Sequence, residues 1–361
     1  MKKFLAFLIL TALIITMFTA CGRESLPNNS GNGIGSDSEI QRPSGPIENN
    51  TAESVVTLVN PGKKTGIKLP CSTKEDDYII TSDKNKAEIE GITSKAAILV
   101  DMSTGKSNAE KEADTKIYPA SMTKVMTILV AAENAKNANE KLTVTKEMVD
   151  YQKETGGSTT VALKEGDTIT VEDALYLINY TSDTVACLLI AEYVAETEED
   201  FVELMNEKAE ALGLEDTHFV NTTGLHDPDH YTTCREMAAI MQCALNNETA
   251  NKIITGYKGY KVNITNEESE DRNPTVYANW YSGKDRLSNK NYKSGTNIRI
   301  NGGKTGYEDI PTACFVTYGK DTKSGDEYIC VVVGRIDEEQ TKVKESPSTT
   351  DTWTIYKNYA K

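Results

Sequence analysis

The sequence predicts an α+β domain in which strands from both chain ends build one antiparallel sheet around a helical middle. A Ser-Thr-Gly turn between residues 96–102 and 106–110 predicts a β-hairpin, and further strands are predicted at 313–318 and 327–334. Strands that are grouped apart from helices are typical of this fold class. The predicted helices cover residues 171–180, 186–195, 199–212, 235–246 and 351–359.

A serine and a lysine stand three residues apart at the start of another predicted helix. Pro119 suits a helix entrance, because its missing N–H would be unpaired there in any case. Residues three apart on a helix are neighbours, so the Lys124 amine can reach the Ser121 hydroxyl. This pair predicts a serine that becomes acylated with a lysine as its base. One buried face of the helix is predicted from Met122, Val125, Met126 and Leu129.

Two further motifs follow in a meaningful order. Ser182-Asp183-Thr184 comes after an apolar helical segment, and Lys304-Thr305-Gly306 comes just before a predicted strand. The order S-x-x-K, S-x-N, K-T-G marks penicillin-binding proteins and serine β-lactamases. Each motif alone is weak, since residues 103–106 repeat the first one within a turn and residues 64–66 repeat the third.

Longer segments carry a more specific resemblance. Residues 119–127, 223–233 and 303–307 resemble the D-alanyl-D-alanine carboxypeptidases, the low-molecular-weight penicillin-binding proteins of peptidase family S11. The similarity runs from about residue 92 to the C-terminus. It implies a β-lactamase/transpeptidase-like fold, with the site in the cleft between the sheet and the helical subdomain.

The resemblance also implies catalytic roles. Ser121 attacks the carbonyl of the penultimate D-alanine of a peptidoglycan stem peptide, and Lys124 takes its proton. Ser182 relays a proton toward the leaving group. A lysine acts as a base near neutral pH only if burial or a neighbouring cation lowers its pKa, and Lys304 is the candidate neighbour. β-Lactam antibiotics are expected to inhibit by trapping the acyl-enzyme.

Substrate-binding roles follow from the same matches. Lys304 and Thr305 are expected to bind the C-terminal carboxylate of the substrate, and the backbone N–H groups of Ser121 and Tyr307 to form the oxyanion hole. Thr184 stands where the family has asparagine and is expected to bind substrate less well, because a hydroxyl offers fewer donors than an amide. This departure predicts a slow but real carboxypeptidase.

Three alternatives stay open at this stage. One is a β-lactamase of the same fold, and another is a non-catalytic lipoprotein that binds cell-wall peptide or β-lactam. The third concerns the register of the second motif: Tyr180-Thr181-Ser182 would make Tyr180 the proton relay. We favour the register with Ser182, because the flanking helical segments then align without a gap.

Composition excludes other classes of function. The net charge of −15 argues against a nucleic-acid partner, which would need clustered lysine and arginine. The three histidines have no metal-ligand spacing, so we expect no metal and no other cofactor. The disulfide state of the six cysteines after Cys21 is left open, although Cys187 is predicted to be a small buried apolar residue.

The N-terminal part predicts a lipoprotein. Lys2 and Lys3 precede an apolar run that ends at Ala20, which is the pattern of a signal peptide. Cys21 follows in a sequence that resembles a lipobox, so we expect a lipid-anchored protein on the extracytoplasmic face of the cell membrane. Ordinary secretion with cleavage near Ala20 is the alternative.

The chain is expected to divide into four parts, without the second, β-rich domain that follows in many members of the family. Anchoring is then expected through the N-terminal lipid. The parts are a signal peptide (1–20), a flexible linker (21–54), an unassigned extension (55–90) and the carboxypeptidase domain (91–361).

Overall fold

A computed structural model describes residues 80–280, 296–308, 312–335 and 347–360. All of them belong to one unit of the chain, Gly62–Lys361. The predicted signal peptide, Cys21, the linker and the Lys-Thr-Gly repeat at residues 64–66 lie outside the described residues.

The central sheet joins strands from both ends of the domain. Its spatial order is β1-β3-β2-β10-β9-β8, and β2 pairs with β10 to connect the two halves. Every pairing is antiparallel except that of β1 with β3, which is parallel, so the sheet is mixed rather than wholly antiparallel. Its strands are β1 (Thr81–Glu88), β2 (Ala96–Asp101), β3 (Lys106–Lys111), β8 (Ile298–Glu308), β9 (Thr312–Asp321) and β10 (Glu327–Arg335).

The first strand begins before residue 91, the predicted start of the domain. β1 reads Thr-Ser-Asp-Lys-Asn-Lys-Ala-Glu, and most of its side chains are exposed. A polar edge strand has no alternation of apolar residues, so its sequence carries no strand signal. The pairing of Thr81 with Lys106 nevertheless makes it part of the sheet.

The helices predicted between the two groups of strands are present. The apolar face predicted for the helix after Pro119 is fully buried at Met122, Val125, Met126 and Leu129. The helices are α1 (Lys124–Asn134), α2 (Lys146–Glu154), α3 (Val171–Thr181), α4 (Thr184–Ala195), α5 (Glu198–Ala211), α6 (Cys234–Asn246), α7 (Glu248–Ile254) and α8 (Pro347–Tyr359). The sequence analysis did not identify α2, α7 or two small two-stranded sheets, one formed by β4 (Lys141–Thr143) with β5 (Thr168–Thr170) and one by β6 (Tyr260–Lys261) with β7 (Thr275–Val276).

Helices cover the sheet where the two halves meet. Both α6 and α8 contact β10, and residues 328–333 of that strand are all buried. A strand buried on both faces reads as a continuous apolar run, which is why β10 and β2 were identifiable from sequence. In the described part of the chain, no helix has the length and apolarity needed to cross a membrane.

The cysteines of the described residues are buried thiols. Cys187 is fully buried within α4, as predicted. The others are Cys234, Cys243, Cys314 and Cys330.

Candidate active site

The predicted serine lies in a short 3₁₀ helix, Ala120–Thr123, directly before α1. Side chains three apart eclipse in a 3₁₀ helix, and Lys124 Nζ lies 3.2 Å from Ser121 Oγ, to which it donates. Ala120 has a φ of 47°, a conformation that is strained for a residue with a side chain and that often occurs at functional sites. The prediction of a helical start is confirmed, although the first turn is 3₁₀ rather than α.

Ser182 lies at the break between α3 and α4. Its φ of 60° ends α3, and Asp183 caps α4 by accepting from Ala186 N. The break turns the Ser182 hydroxyl to Ser121 Oγ, to which it donates over 2.9 Å. Tyr180 is buried, and its hydroxyl oxygen would lie 2.5 Å from a Cβ built at Gly256. The geometry therefore supports the register in which Ser182 is the second motif's serine.

Lys304 completes a chain of polar groups. It is fully buried in β8, and its Nζ donates to Ser182 Oγ (3.1 Å) and to the carbonyl of Thr305 (2.8 Å). Burial, and next the positive charge of Lys124, lower the pKa of Lys304 to about 7. The structure thus brings the predicted Ser121, Lys124, Ser182 and Lys304 together.

A glycine lets β8 approach the segment that carries Ser121. A Cβ at Gly306 would lie 2.3 Å from Cys314 Sγ and 3.1 Å from both Pro119 O and the Cβ of Ala120. The backbone of β8 is thereby held against the 3₁₀ helix that carries Ser121. Two side chains next to Gly306 reach solvent: Thr305 is partly exposed and Tyr307 is 66% exposed. Both are therefore accessible to a ligand.

A backbone carbonyl that sequence reasoning missed also holds the lysine. Lys124 Nζ donates to Thr223 O at 2.6 Å. Asn221 Oδ1 fixes this loop by accepting from the N–H groups of Thr223 (3.1 Å) and Gly224 (2.7 Å). The Thr-Gly-Leu match located the loop, but a carbonyl contact leaves no side-chain signature in a sequence.

His230 contacts the 3₁₀ helix that carries Ser121, on its buried side. Its Nε2 lies 2.8 Å from Thr123 Oγ1, and its Nδ1 accepts from Val220 N (3.3 Å), which leaves Nε2 as the donor. Burial lowers the pKa of His230 to about 4, so the ring is neutral near pH 7. These contacts agree with the structural role predicted for this histidine.

Thr184, predicted to stand where the family has asparagine, is the first residue of α4. It is 1% exposed, and its N–H donates to Ser158 O at 2.9 Å. A Cβ at Gly157 would lie 2.5 Å from Thr184 Oγ1, so this side chain packs directly beneath the loop after α2.

Comparisons with known proteins identify the family of the chain. The family model of the D-alanyl-D-alanine carboxypeptidases matches residues 82–336. The D-alanyl-D-alanine carboxypeptidase DacF of Bacillus subtilis is 31% identical over 240 residues, covering 66% of this chain and 57% of its own. DacC of Escherichia coli is 34% identical over 193 residues, covering 51% and 48%. The chain thus spans about half the length of these curated relatives.

Solved structures share the fold. The Streptomyces DD-transpeptidase superposes with a TM-score of 0.63 at 23% identity, covering 75% of this chain and 99% of its own. The D-alanyl-D-alanine carboxypeptidase DacD of Francisella tularensis gives a TM-score of 0.57 at 23% identity, covering 74% and 70%. Both likenesses bear out the predicted penicillin-binding, α+β fold. With the family model matched across most of the described residues, the chain belongs to the D-alanyl-D-alanine carboxypeptidase family, peptidase family S11.

Proposed function

We propose that this chain is a serine-type D-Ala-D-Ala carboxypeptidase that removes the terminal D-alanine of peptidoglycan stem peptides through an acyl-enzyme. One observation carries the proposal: Ser121 Oγ lies within hydrogen-bond distance of both Lys124 Nζ (3.2 Å) and Ser182 Oγ (2.9 Å). A nucleophile in contact with a base and with a second proton carrier is what acyl transfer requires.

In the acylation step, Ser121 Oγ attacks the carbonyl carbon of the penultimate D-alanine, and its proton passes to Lys124. The backbone N–H groups of Ser121 and Tyr307 stabilise the negative oxygen of the tetrahedral intermediate. The C–N bond then breaks, and the proton that Lys124 took up reaches the departing D-alanine amine through Ser182, which gives up its own proton and takes one in return. Lys304, which donates to Ser182, supports this delivery. Water hydrolyses the resulting ester and regenerates Ser121.

Substrate recognition uses the edge strand β8. Lys304 supplies positive charge and the partly exposed Thr305 a hydroxyl for the C-terminal carboxylate of the substrate. β8 is the last strand of the sheet, so an extended peptide can bind along it by main-chain hydrogen bonds. Thr184 in place of asparagine offers fewer donors, which predicts slow turnover.

The enzyme is proposed to work on the extracytoplasmic face of the membrane, anchored by a lipid on Cys21. The support is the sequence of residues 1–20, the lipobox-like segment and the polar linker that follows. Replacing the anchor cysteine, Cys21→Ser, is expected to move the protein from the membrane fraction to the soluble fraction or to block its processing. Unchanged membrane retention with normal maturation would point to a different attachment.

Intact-mass spectrometry with a penicillin and with an acyl-D-Ala-D-Ala peptide tests the function. A carboxypeptidase forms a lasting penicillin adduct and releases D-alanine from the peptide. Rapid loss of the adduct with hydrolysed penicillin would indicate a β-lactamase instead. An adduct without any release of D-alanine would indicate a binding protein.

A further inference from the structure

The segment that holds the Lys124 amine is itself held by a helix with no part in the steps above. We call this segment, residues 219–224, the lysine-binding loop, because its Thr223 carbonyl accepts from Lys124 Nζ at 2.6 Å. Thr222 and Thr223 are 0% and 2% exposed. The backbone groups of a buried loop need hydrogen-bond partners within the protein, so the residues that supply them also fix where its carbonyls lie.

Helix α1 supplies one set of partners. Lys124 and Thr127 are three residues apart and therefore lie on one face of this helix. Lys124 Nζ donates to the carbonyl of Thr223, and Thr127 Oγ1 donates to the carbonyl of Thr222 at 2.7 Å. Two consecutive carbonyls of the lysine-binding loop thus bond to the helix that carries the proposed base.

Helix α5 supplies partners for other groups of the same loop. Glu198 is its first residue, and the Oε1 atom accepts from the N–H of Thr222 at 2.9 Å and from the Thr222 hydroxyl at 2.7 Å. About two turns further along, Asn206 donates to Phe219 O and accepts from Phe219 N, each at 2.9 Å. Thr222 is therefore held between two helices, with its carbonyl bonded to α1 and its N–H bonded to α5.

An acidic residue in the first turn of a helix also has a simpler role, since it interacts favourably with the helix dipole. Glu198, Glu199 and Asp200 all lie in the first turn of α5. Glu199 is exposed, and its side chain makes no hydrogen bond with the described residues. The dipole explains both glutamates equally well, but it does not explain the two bonds that Thr222 donates to Glu198.

We propose that Glu198 is a positioning residue for the proposed base: its carboxylate fixes the lysine-binding loop, whose carbonyl orients the Lys124 amine toward Ser121. The inference rests on the proposed function, because the proton that Lys124 takes from Ser121 belongs to the acylation step. Glu198 acts through its hydrogen bonds rather than through its charge. Without them, the buried N–H of Thr222 loses its acceptor, which is costly, and the loop must shift to find another.

The test compares acylation by a fluorescent penicillin in the wild type, Glu198→Ala and Glu198→Gln. Glutamine keeps an oxygen that can accept both bonds from Thr222 and removes the charge. In Glu198→Ala we expect the maximum rate of acylation, at saturating penicillin, to fall about tenfold to a hundredfold, because a small displacement of a reacting group is enough for such a loss. The maximum rate of Glu198→Gln should stay within about threefold of the wild type. The penicillin concentration that gives half the maximum rate should change little, since Glu198 acts on Lys124 and not on the ligand.

Glu199→Ala is the matched control. It removes a carboxylate from the same helical turn, so both alanine variants lose a favourable interaction with the dipole, but the bonds to Thr222 remain. Its maximum rate of acylation should equal that of the wild type, with the melting temperature of every variant measured alongside. If Glu198→Ala does not fold, Thr222→Val removes the hydroxyl donor of the same contact and should also lower the maximum rate.

The outcomes separate the two claims. Equal maximum rates in Glu198→Ala and Glu199→Ala would overturn the positioning role alone, and so would a Glu198→Gln variant as slow as Glu198→Ala. An unchanged rate in Thr222→Val, where that variant replaces Glu198→Ala, would overturn it as well. The absence of any wild-type adduct at Ser121 would overturn the proposed function and this inference with it.

Discussion

Replacing Gly224 with alanine should impair the site through the backbone of Ala120. Gly224 has a φ of 79°, and a Cβ added there would lie 1.9 Å from Ala120 O and 2.8 Å from Thr123 Oγ1. Real structures do not tolerate such distances, so either the loop of Gly224 or the 3₁₀ helix must move. Both carry parts of the site, since the neighbouring Thr223 O accepts from Lys124 Nζ at 2.6 Å.

The expected size of the effect has two parts. An alanine in the left-handed conformation costs about 1–2 kcal/mol of stability wherever it occurs. Moving the Thr223 carbonyl also removes a hydrogen bond to a charged group, worth about 1.5–3 kcal/mol. If that loss falls on the transition state for acylation, Gly224→Ala should acylate about tenfold to a hundredfold more slowly than the wild type.

Gly213→Ala is the matched control for this variant. Gly213 has a similar φ of 69°, but nothing lies within 4 Å of a Cβ built there. Both variants should lose stability from backbone strain, and only Gly224→Ala should lose acylation rate. The assay is the second-order rate constant for a fluorescent penicillin, with the melting temperature measured alongside. Equal acylation rates in the two variants would refute the reasoning that this contact positions Lys124.

Further predictions concern the proton relay, the carboxylate site and a buried histidine. Ser182→Ala should abolish turnover of an acyl-D-Ala-D-Ala peptide while Tyr180→Phe preserves it, and the reverse result would restore the other register. Because the pKa of Lys304 is about 7, the preference in kcat/KM for a free carboxylate over the C-terminal amide should fall as the pH rises from 6 to 8. Lys304→Ala should remove that preference, and equal kcat/KM for both peptides in the wild type would contradict the role. His230 takes up a proton in the unfolded chain below its ordinary pKa of 6.5 but in the folded protein only near 4, so stability should decrease as the pH falls through this window. The loss is about 3 kcal/mol between these limits, measurable by urea unfolding, and His230→Gln should show a correspondingly weaker pH dependence.

The parts of the fold that were predictable are those whose sequence patterns follow burial. β2 and β10 are buried on both faces and appear as apolar runs, and the buried face of α1 recurs with helical spacing. β1 was missed because its side chains are polar and exposed. β8 was missed as a strand because three glycines interrupt its sequence. Close contacts leave little room for a side chain at these positions; for example, a Cβ built at Gly303 would lie 2.6 Å from Val316 O.

The site was predictable only as a set of motifs. The spacing of Ser121 and Lys124 is local, so helical geometry alone indicated their contact. The contact of Ser182 with Lys304 spans 122 residues and depends on how β8 packs against the α3–α4 break. Motif order pointed to it through the family resemblance, whereas the contact of Lys124 with the Thr223 carbonyl became visible only in the folded structure.

The most direct test of the account locates the acyl group. Wild-type protein, Ser121→Ala and Lys124→Ala would each be incubated with a penicillin, digested and mapped by tandem mass spectrometry. The account predicts one adduct on Ser121 in the wild type, none in Ser121→Ala, and strongly reduced acylation in a folded Lys124→Ala. An adduct on another residue, or wild-type acylation rates without Lys124, would contradict it.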